Sequence, residues 1–174
     1  VTADVEKIGA EIVASFKEFC KSYGRDLQLW FEPGKFLVSN AGFLLVDVNV
    51  VKQTTSTVFA GVNSGQNHLL RPMMYGAYHH IVNISNPEGT DRIYSIVGYI
   101  CESDTFGFDR RLNEVRVGDI LAIHNAGAYG FSMSSNYNSR PRPAEVMIYN
   151  KKAHLIRKRE DLDYILQNQL ELDM

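Results

Sequence analysis

Cysteine is nearly absent from this sequence: Cys20 and Cys101 are the only two in 174 residues, and they lie far apart. They make neither a metal-ligand spacing nor a disulfide framework, which points to a reducing, cytoplasmic setting. An excess of one charge is lacking too. The formal net charge is −2, with 22% charged residues, so no global field draws the chain to nucleic acid or to a membrane surface. No apolar run reaches the roughly 18 residues of a membrane span, and no apolar export segment opens the chain. There is no internal repeat and no low-complexity stretch. The chain starts VTADVEKIG without an initiator Met, as expected of processing or of a start inside a longer polypeptide. What is present, 45% apolar residues, suffices for one ordinary core and part of a second domain.

Val5, Ile8, Ile12, Phe16, Phe19 and Tyr23 fall on one stripe of an amphipathic helix. Asp4 and Glu6 favour its start through the helix dipole, and Gly24 suits its end. LQLWFEPGKF follows, predicting a short strand that runs into a Pro-Gly break. From Phe36 the character changes. FLVSNAGFLLVDVNVVKQT, STVFAGVN, YHHIVNIS, RIYSIVGYI, DILAIHNAG, AEVMIYN and AHLIRK are short, β-branched or aromatic, and separated by turn signals. NPEGTD and NKK each predict a hairpin loop. Many strands without intervening helices predict a mainly β domain, an antiparallel sandwich or barrel. After Lys158, Leu162, Ile165, Leu166 and Leu170 have the spacing of a closing helix.

Several stretches carry chemistry, each with a plain structural alternative. The EPGKF turn (Glu32 to Phe36) can present consecutive backbone N–H groups to an anion beside Lys35, or be an ordinary surface turn. In RPMMY, Arg71 can grip a carboxylate bidentately with the Tyr75 phenol nearby, or be a surface arginine before a proline turn. The segment GAYGFSMSSNYNSRPRP (Gly127 to Pro143) is long and rich in small residues, and it places Tyr129 between Ala128 and Gly130. Such a loop is functional or mobile. His79 and His80 are adjacent and would face opposite ways on a strand, while His68, His124 and His154 have no ligand spacing, so no metal site is expected. KKAHLIRKR (Lys151 to Arg159) is the one basic cluster. Its apolar centre and the acidic residues after it fit a solvated hairpin better than a nucleic-acid face.

In order, EPGKFLVSNAG, NSGQNHLLRPMMYGAYH, VGYICES, GDILAIHNAGAYG and MSSNYNSRPRPAEV resemble the C-terminal part of diaminopimelate decarboxylases, pyridoxal-phosphate enzymes of the alanine-racemase-like fold. The resemblance runs from about Leu27 to Ile148 and rests on the motifs' combination. It implies that residues 1–35 are the remainder of a (β/α)8 barrel, its last helix and strand. Residues 36–174 would be the C-terminal β-domain of a fold-type III pyridoxal-phosphate enzyme. The family's cofactor-bearing lysine has no counterpart here, so the isolated chain is expected to be inactive.

The resemblance also implies roles. Glu32, Pro33, Gly34 and Lys35 would lie at the cofactor phosphate. Lys35 would contribute to substrate binding as well, where the family more often has Arg. Arg71 and Tyr75 would hold a substrate carboxylate, and Tyr129 would touch both cofactor and substrate. Cys101 and Glu102 would cross a homodimer interface into the partner's active site. There Cys101 would reprotonate the substrate carbon, a task suited to a thiol with an ordinary pKa of about 8.5. Glu102 would accept the substrate's distal ammonium. This chain reads CESDT where the family usually reads CESGD. The implied reaction is the pyridoxal 5'-phosphate-dependent decarboxylation of meso-2,6-diaminopimelate to L-lysine and CO2, the last step of lysine biosynthesis. Alternatives are decarboxylation of ornithine, arginine or carboxynorspermidine, or a non-catalytic dimerisation module.

Overall fold

A computed structural model describes residues 4–172. The chain divides into two compact units, Val1–Pro33 and Gly34–Met174. The first unit is helix α1, Val5–Tyr23. Its N-cap is Asp4, whose carboxylate accepts the Lys7 N–H at 3.0 Å, and Gly24 closes it with a left-handed φ of 77°. No residue of α1 is buried, so its apolar stripe stays uncovered within its own unit. The strand expected over LQLWF does not form: residues 26–33 have no regular structure. A strand is held by hydrogen bonds to a neighbour, and this unit offers only a helix.

In the second unit the first expected strand is also amended. Gly34–Val38 is a short helix, α2, followed by a 3-10 turn. Strand β1 begins only at Leu44 and runs to Gln53. Next come β2 (Val58–Val62), helix α3 (Arg71–Tyr75), β3 (Ile81–Asn83) and β4 (Asp91–Val97). After them come β5 (Thr105–Asn113), β6 (Ile120–Ile123), β7 (Glu145–Tyr149), β8 (Lys152–Arg157) and helix α4 (Leu162–Leu166). Six strands form one sheet in the order β3-β6-β1-β2-β4-β5, and β3 approaches β5 so that the sheet nearly closes into a barrel. All its pairs are antiparallel except β2–β4, which is parallel and joined by the crossover that carries α3 and β3. Among the described residues no helix is long and apolar enough to cross a membrane.

The barrel's core follows strand alternation. On β1, Val46 and Val48 are buried while Leu45 and Asp47 face out. Tyr94, Ile96, Leu121 and Ile123 complete the core from β4 and β6, with Phe106 from β5. The in-out alternation that marks β1 is missing in β5: TFGFDRRLN is charged, and Asp109 sits at a φ of 48°. Sequence reading therefore passes over β5.

NPEGTD does not make the expected hairpin, because β3 pairs with β6 and β4 with β2 and β5. Buried Asn83 diverts the chain. Its carbonyl oxygen accepts from the Ser85 and Asn86 N–H groups, and its amide donates to the Glu114 carbonyl and the Asp119 carboxylate. All four of its bonding positions are used to turn the chain toward β6. The NKK hairpin does form between β7 and β8, with Asn150 and Lys151 both at positive φ, as a tight two-residue turn requires. Every residue of β8 is exposed, so the basic cluster is a solvated hairpin.

Tyr94 is fully buried, and its hydroxyl accepts the Val115 N–H at 3.0 Å. Tyr94→Phe leaves that buried N–H without a partner and should lower stability by about 1–3 kcal/mol. Urea unfolding of the chain measures this, and an unchanged midpoint would show that the bond carries no net stability.

Candidate active site

Helix α3 places two of the expected residues. Pro72 starts the helix and Gly76, at a φ of 59°, ends it, so Arg71 and Tyr75 stand four apart on one face. The Arg71 guanidinium lies 5.3 Å from the centre of the Tyr75 ring and 5.5 Å from that of Tyr129. Tyr129 comes from the loop after β6 and is held at a left-handed φ of 58°. A Cβ on Gly34 would lie 2.7 Å from the Tyr129 hydroxyl, so only glycine lets that phenol lie against the backbone. Gly34, Tyr129, Arg71 and Tyr75 therefore form one contiguous cluster.

That cluster is positively charged. Among the described residues neither Arg71 nor Lys35 has an ion-pair partner, and the Arg71 Nε is buried without a hydrogen bond. Its field reaches His79. Burial holds His79 below its ordinary 6.5, and the charges of Arg71, Lys35 and Arg110 push the same way against its bond to the His124 carbonyl. His79 is thus a packed core residue, with Nδ1 donating to that carbonyl at 2.8 Å, while His80 is exposed. Glu32 and Pro33 are exposed residues at the end of the first unit. Among the described residues no three His, Cys, Asp or Glu side chains cluster as metal ligands would.

A second cluster lies on the loop between β4 and β5. Buried Asp104 shapes it. The Asp104 carboxylate accepts the Gln66 N–H at 2.8 Å and the Ile100 N–H at 3.0 Å, and its carbonyl accepts the Gly98 N–H at 2.8 Å. Side chains on Gly65 or Gly98 would run into the same carboxylate. Burial pushes the Asp104 carboxyl above its ordinary value, and the two N–H bonds restrain the rise. This closed loop presents Cys101 and Glu102 to solvent, with the thiol 3.8 Å from Glu102 Oε2. The phenol of Tyr137 donates to Glu102 Oε1 and holds that carboxyl below its ordinary 4.5.

Tyr137 belongs to the long segment after Tyr129, which is tied down. Arg142 donates to the Ser134 carbonyl and hydroxyl, to the Asn136 side chain, and to Glu160 at 2.9 Å. Glu160, nearly buried, also accepts the Arg142 N–H and the Asn136 amide. His68 braces the far side, with Nε2 donating to the Pro141 carbonyl at 3.0 Å and Nδ1 accepting from the Ser64 hydroxyl at 2.9 Å. Sequence reading passed over Asp104, Tyr137, Arg142 and Glu160. The only local signal was the SRPRP stretch around Arg142; the separations to the partners, 18 residues to Glu160 and 35 from Tyr137 to Glu102, carry none.

A family model for the C-terminal sheet domain of pyridoxal-dependent decarboxylases matches residues 25–127. The chain belongs to this family. Among curated relatives, the chain is 45% identical over 170 residues to diaminopimelate decarboxylase of Methanothermobacter thermautotrophicus, covering 95% of itself and 39% of that protein. It is 46% identical to the Aquifex aeolicus diaminopimelate decarboxylase over 142 residues, covering 81% of itself and 34% of that protein. The crystal structure of diaminopimelate decarboxylase from M. jannaschii in complex with L-lysine is 40% identical and superposes with a TM-score of 0.80. That match covers 93% of this chain and 38% of that one. The chain thus spans less than half the length of the curated relatives it matches.

Two titrations should affect the order of the Tyr137 segment. Burial, partly offset by the Pro141 bond, holds His68 below 6.5. A lowered histidine lends stability that is complete above 6.5 and is lost as pH falls beneath that value. Burial also pushes Glu160 up, but the bonds from Arg142 and Asn136 outweigh it and leave the carboxyl below 4.5. Its share is present above 4.5 and is lost as pH falls through the depressed value. Hydrogen-exchange protection of the amides of residues 131–142 should therefore fall in two acid steps. His68→Gln should remove the first and keep the second; a first step that survives this change would show that His68 does not set it.

Proposed function

We propose that this chain serves as the substrate-binding and interface-forming part of a diaminopimelate decarboxylase. The observation that carries the proposal is Arg71, a guanidinium stacked on two tyrosines with no carboxylate to neutralise it among the described residues. A buried Nε without a partner leaves this arginine matched to an anion from outside the chain.

Pyridoxal 5'-phosphate fits the residues beside it. Lys35 and Arg71 supply positive charge, and Gly34 leaves the Tyr129 phenol lying against the backbone. On this reading Glu32, Pro33, Gly34, Lys35 and Tyr129 would hold the group. When bound, it supplies the electron sink that permits loss of CO2 from an α-carbon. The chain's own residues do the rest. Arg71 and Tyr75 hold a substrate carboxylate, with Lys35 adding charge but no planar fork. Cys101 delivers the proton to carbon after CO2 departs. Glu102 takes the distal ammonium, which selects a diamino diacid, meso-2,6-diaminopimelate, and gives L-lysine. Cys101 and Glu102 are exposed on a closed loop, suited to reach a neighbouring subunit's pocket across a C2 homodimer. The setting would be cytoplasmic, and the isolated 174-residue chain would be inactive for want of a lysine to carry the cofactor.

The test is release of CO2 and L-lysine from meso-2,6-diaminopimelate, with pyridoxal 5'-phosphate, by the native gene product. Activity there and none in the 174-residue chain is the expected result. No activity in either sinks the reading. In the active enzyme, Cys101→Ala should slow turnover roughly a hundred- to ten-thousandfold while the cofactor's absorbance is retained. Mixing Glu102→Ala subunits with subunits lacking the cofactor lysine should restore one working site per mixed dimer. Failure to complement would confine Glu102 to its own subunit.

A further inference from the structure

We propose that Tyr137 is a positioning residue that fixes Glu102 for the substrate's distal ammonium, a role that rests on the function proposed for Glu102 above. The two residues are 35 apart in sequence, yet the Tyr137 hydroxyl donates directly to Glu102 Oε1. The other oxygen, Oε2, is thereby turned toward the Cys101 thiol, 3.8 Å away. One phenol thus sets the orientation of a carboxylate that stands beside the proposed proton donor. Without it, an exposed glutamate side chain samples many rotamers, and its carboxylate meets a ligand only by ordering itself first.

The support behind Tyr137 is stiffer than an exposed loop normally provides. Asn136, immediately before it, is clamped between Arg142 and Glu160, with its amide on the Glu160 carboxylate and its oxygen on the Arg142 guanidinium at 3.0 Å. Asn138 and Ser139, immediately after it, are held at left-handed φ values of 57° and 53°. Such backbone persists only where the surroundings over-determine it. The tyrosine is therefore delivered to Glu102 by a nearly buried ion pair, and its ring edge need not be buried to be fixed.

The experiment is a double-mutant cycle in the complete, cofactor-loaded enzyme, with Tyr137→Phe, Glu102→Gln and the pair. Steady-state kinetics with meso-2,6-diaminopimelate is one readout, and calorimetric binding of L-lysine is the other. Tyr137→Phe should raise KM and weaken L-lysine binding about tenfold, with kcat changed much less. It should also move the acid limb of kcat/KM to higher pH, since Glu102 loses the bond that holds its carboxyl down. In the Glu102→Gln background the same change should add nothing. A Tyr137→Phe enzyme with wild-type KM, L-lysine affinity and acid limb, beside a defective Glu102→Gln enzyme, overturns the proposal and leaves the role of Glu102 standing. Equal losses from Tyr137→Phe in both backgrounds also overturn it. Wild-type behaviour of Glu102→Gln itself would remove the role of Glu102, and the proposal with it.

Discussion

A carboxylate sits out of water at Asp104, and two separate stretches of chain are shaped around it. Its oxygens take the N–H groups of Gln66 and Ile100, which come from the loop after β2 and the loop after β4. Both stretches need glycine at the contact, Gly65 in NSGQN and Gly98 in VGYI, because any side chain would collide with the acid. The second of these loops ends in Cys101 and Glu102. Two residues thought to do chemistry are therefore placed by a neighbour that does none. The loop reads CESDT, with no glycine between Ser103 and Asp104. Here CESDT closes it on an aspartate whose burial is compensated by backbone donors, the condition under which an acid is tolerated inside.

The Arg142–Glu160 pair performs the same service for the opposite wall. Isolated ion pairs at a surface contribute little. This one is different because Glu160 is nearly buried and accepts two further donors, the Asn136 amide and the Arg142 backbone N–H, besides the Arg142 guanidinium, so removing either partner strands the other. The long segment rich in serine and asparagine is consequently ordered by two short 3-10 turns, where its composition alone suggested mobility. The Tyr137 hydroxyl joins this segment to Glu102, and the His68 bond to the Pro141 carbonyl joins it to the loop after β2.

What was legible in the sequence followed from local physics. The α1 stripe with its Asp4 cap and Gly24 stop, the alternation of β1, and the NKK turn each depend on residues within a few positions of one another. The RPxxY helix and the glycines around Tyr129 could be quoted as motifs, so the residues of the Arg71 cluster were named in advance, although their contacts were not. What was illegible depended on partners remote in sequence. A strand over LQLWF requires a neighbouring strand to pair with, and none lies in its unit. The NPEGTD loop looked like a hairpin until Asn83 sent the chain to β6. Charged β5 reads as a loop unless β4 is known to lie beside it.

The same distinction bears on the electrostatics of the Arg71 cluster. Arg71, Lys35 and Arg110 come from three different elements, α3, α2 and β5, so no stretch of sequence looks unusually basic at this place, and the net charge of the whole chain is −2. Their charges act with burial to hold the His79 pKa below its ordinary value. The Nδ1 of His79 donates to the His124 carbonyl, linking the residues just before β3 to those just after β6, the strand that leads into Tyr129. A buried histidine that became charged would add a fourth cation to these three. Protonation of His79 is thus disfavoured beside Arg71 and Lys35, neither of which has an ion-pair partner among the described residues.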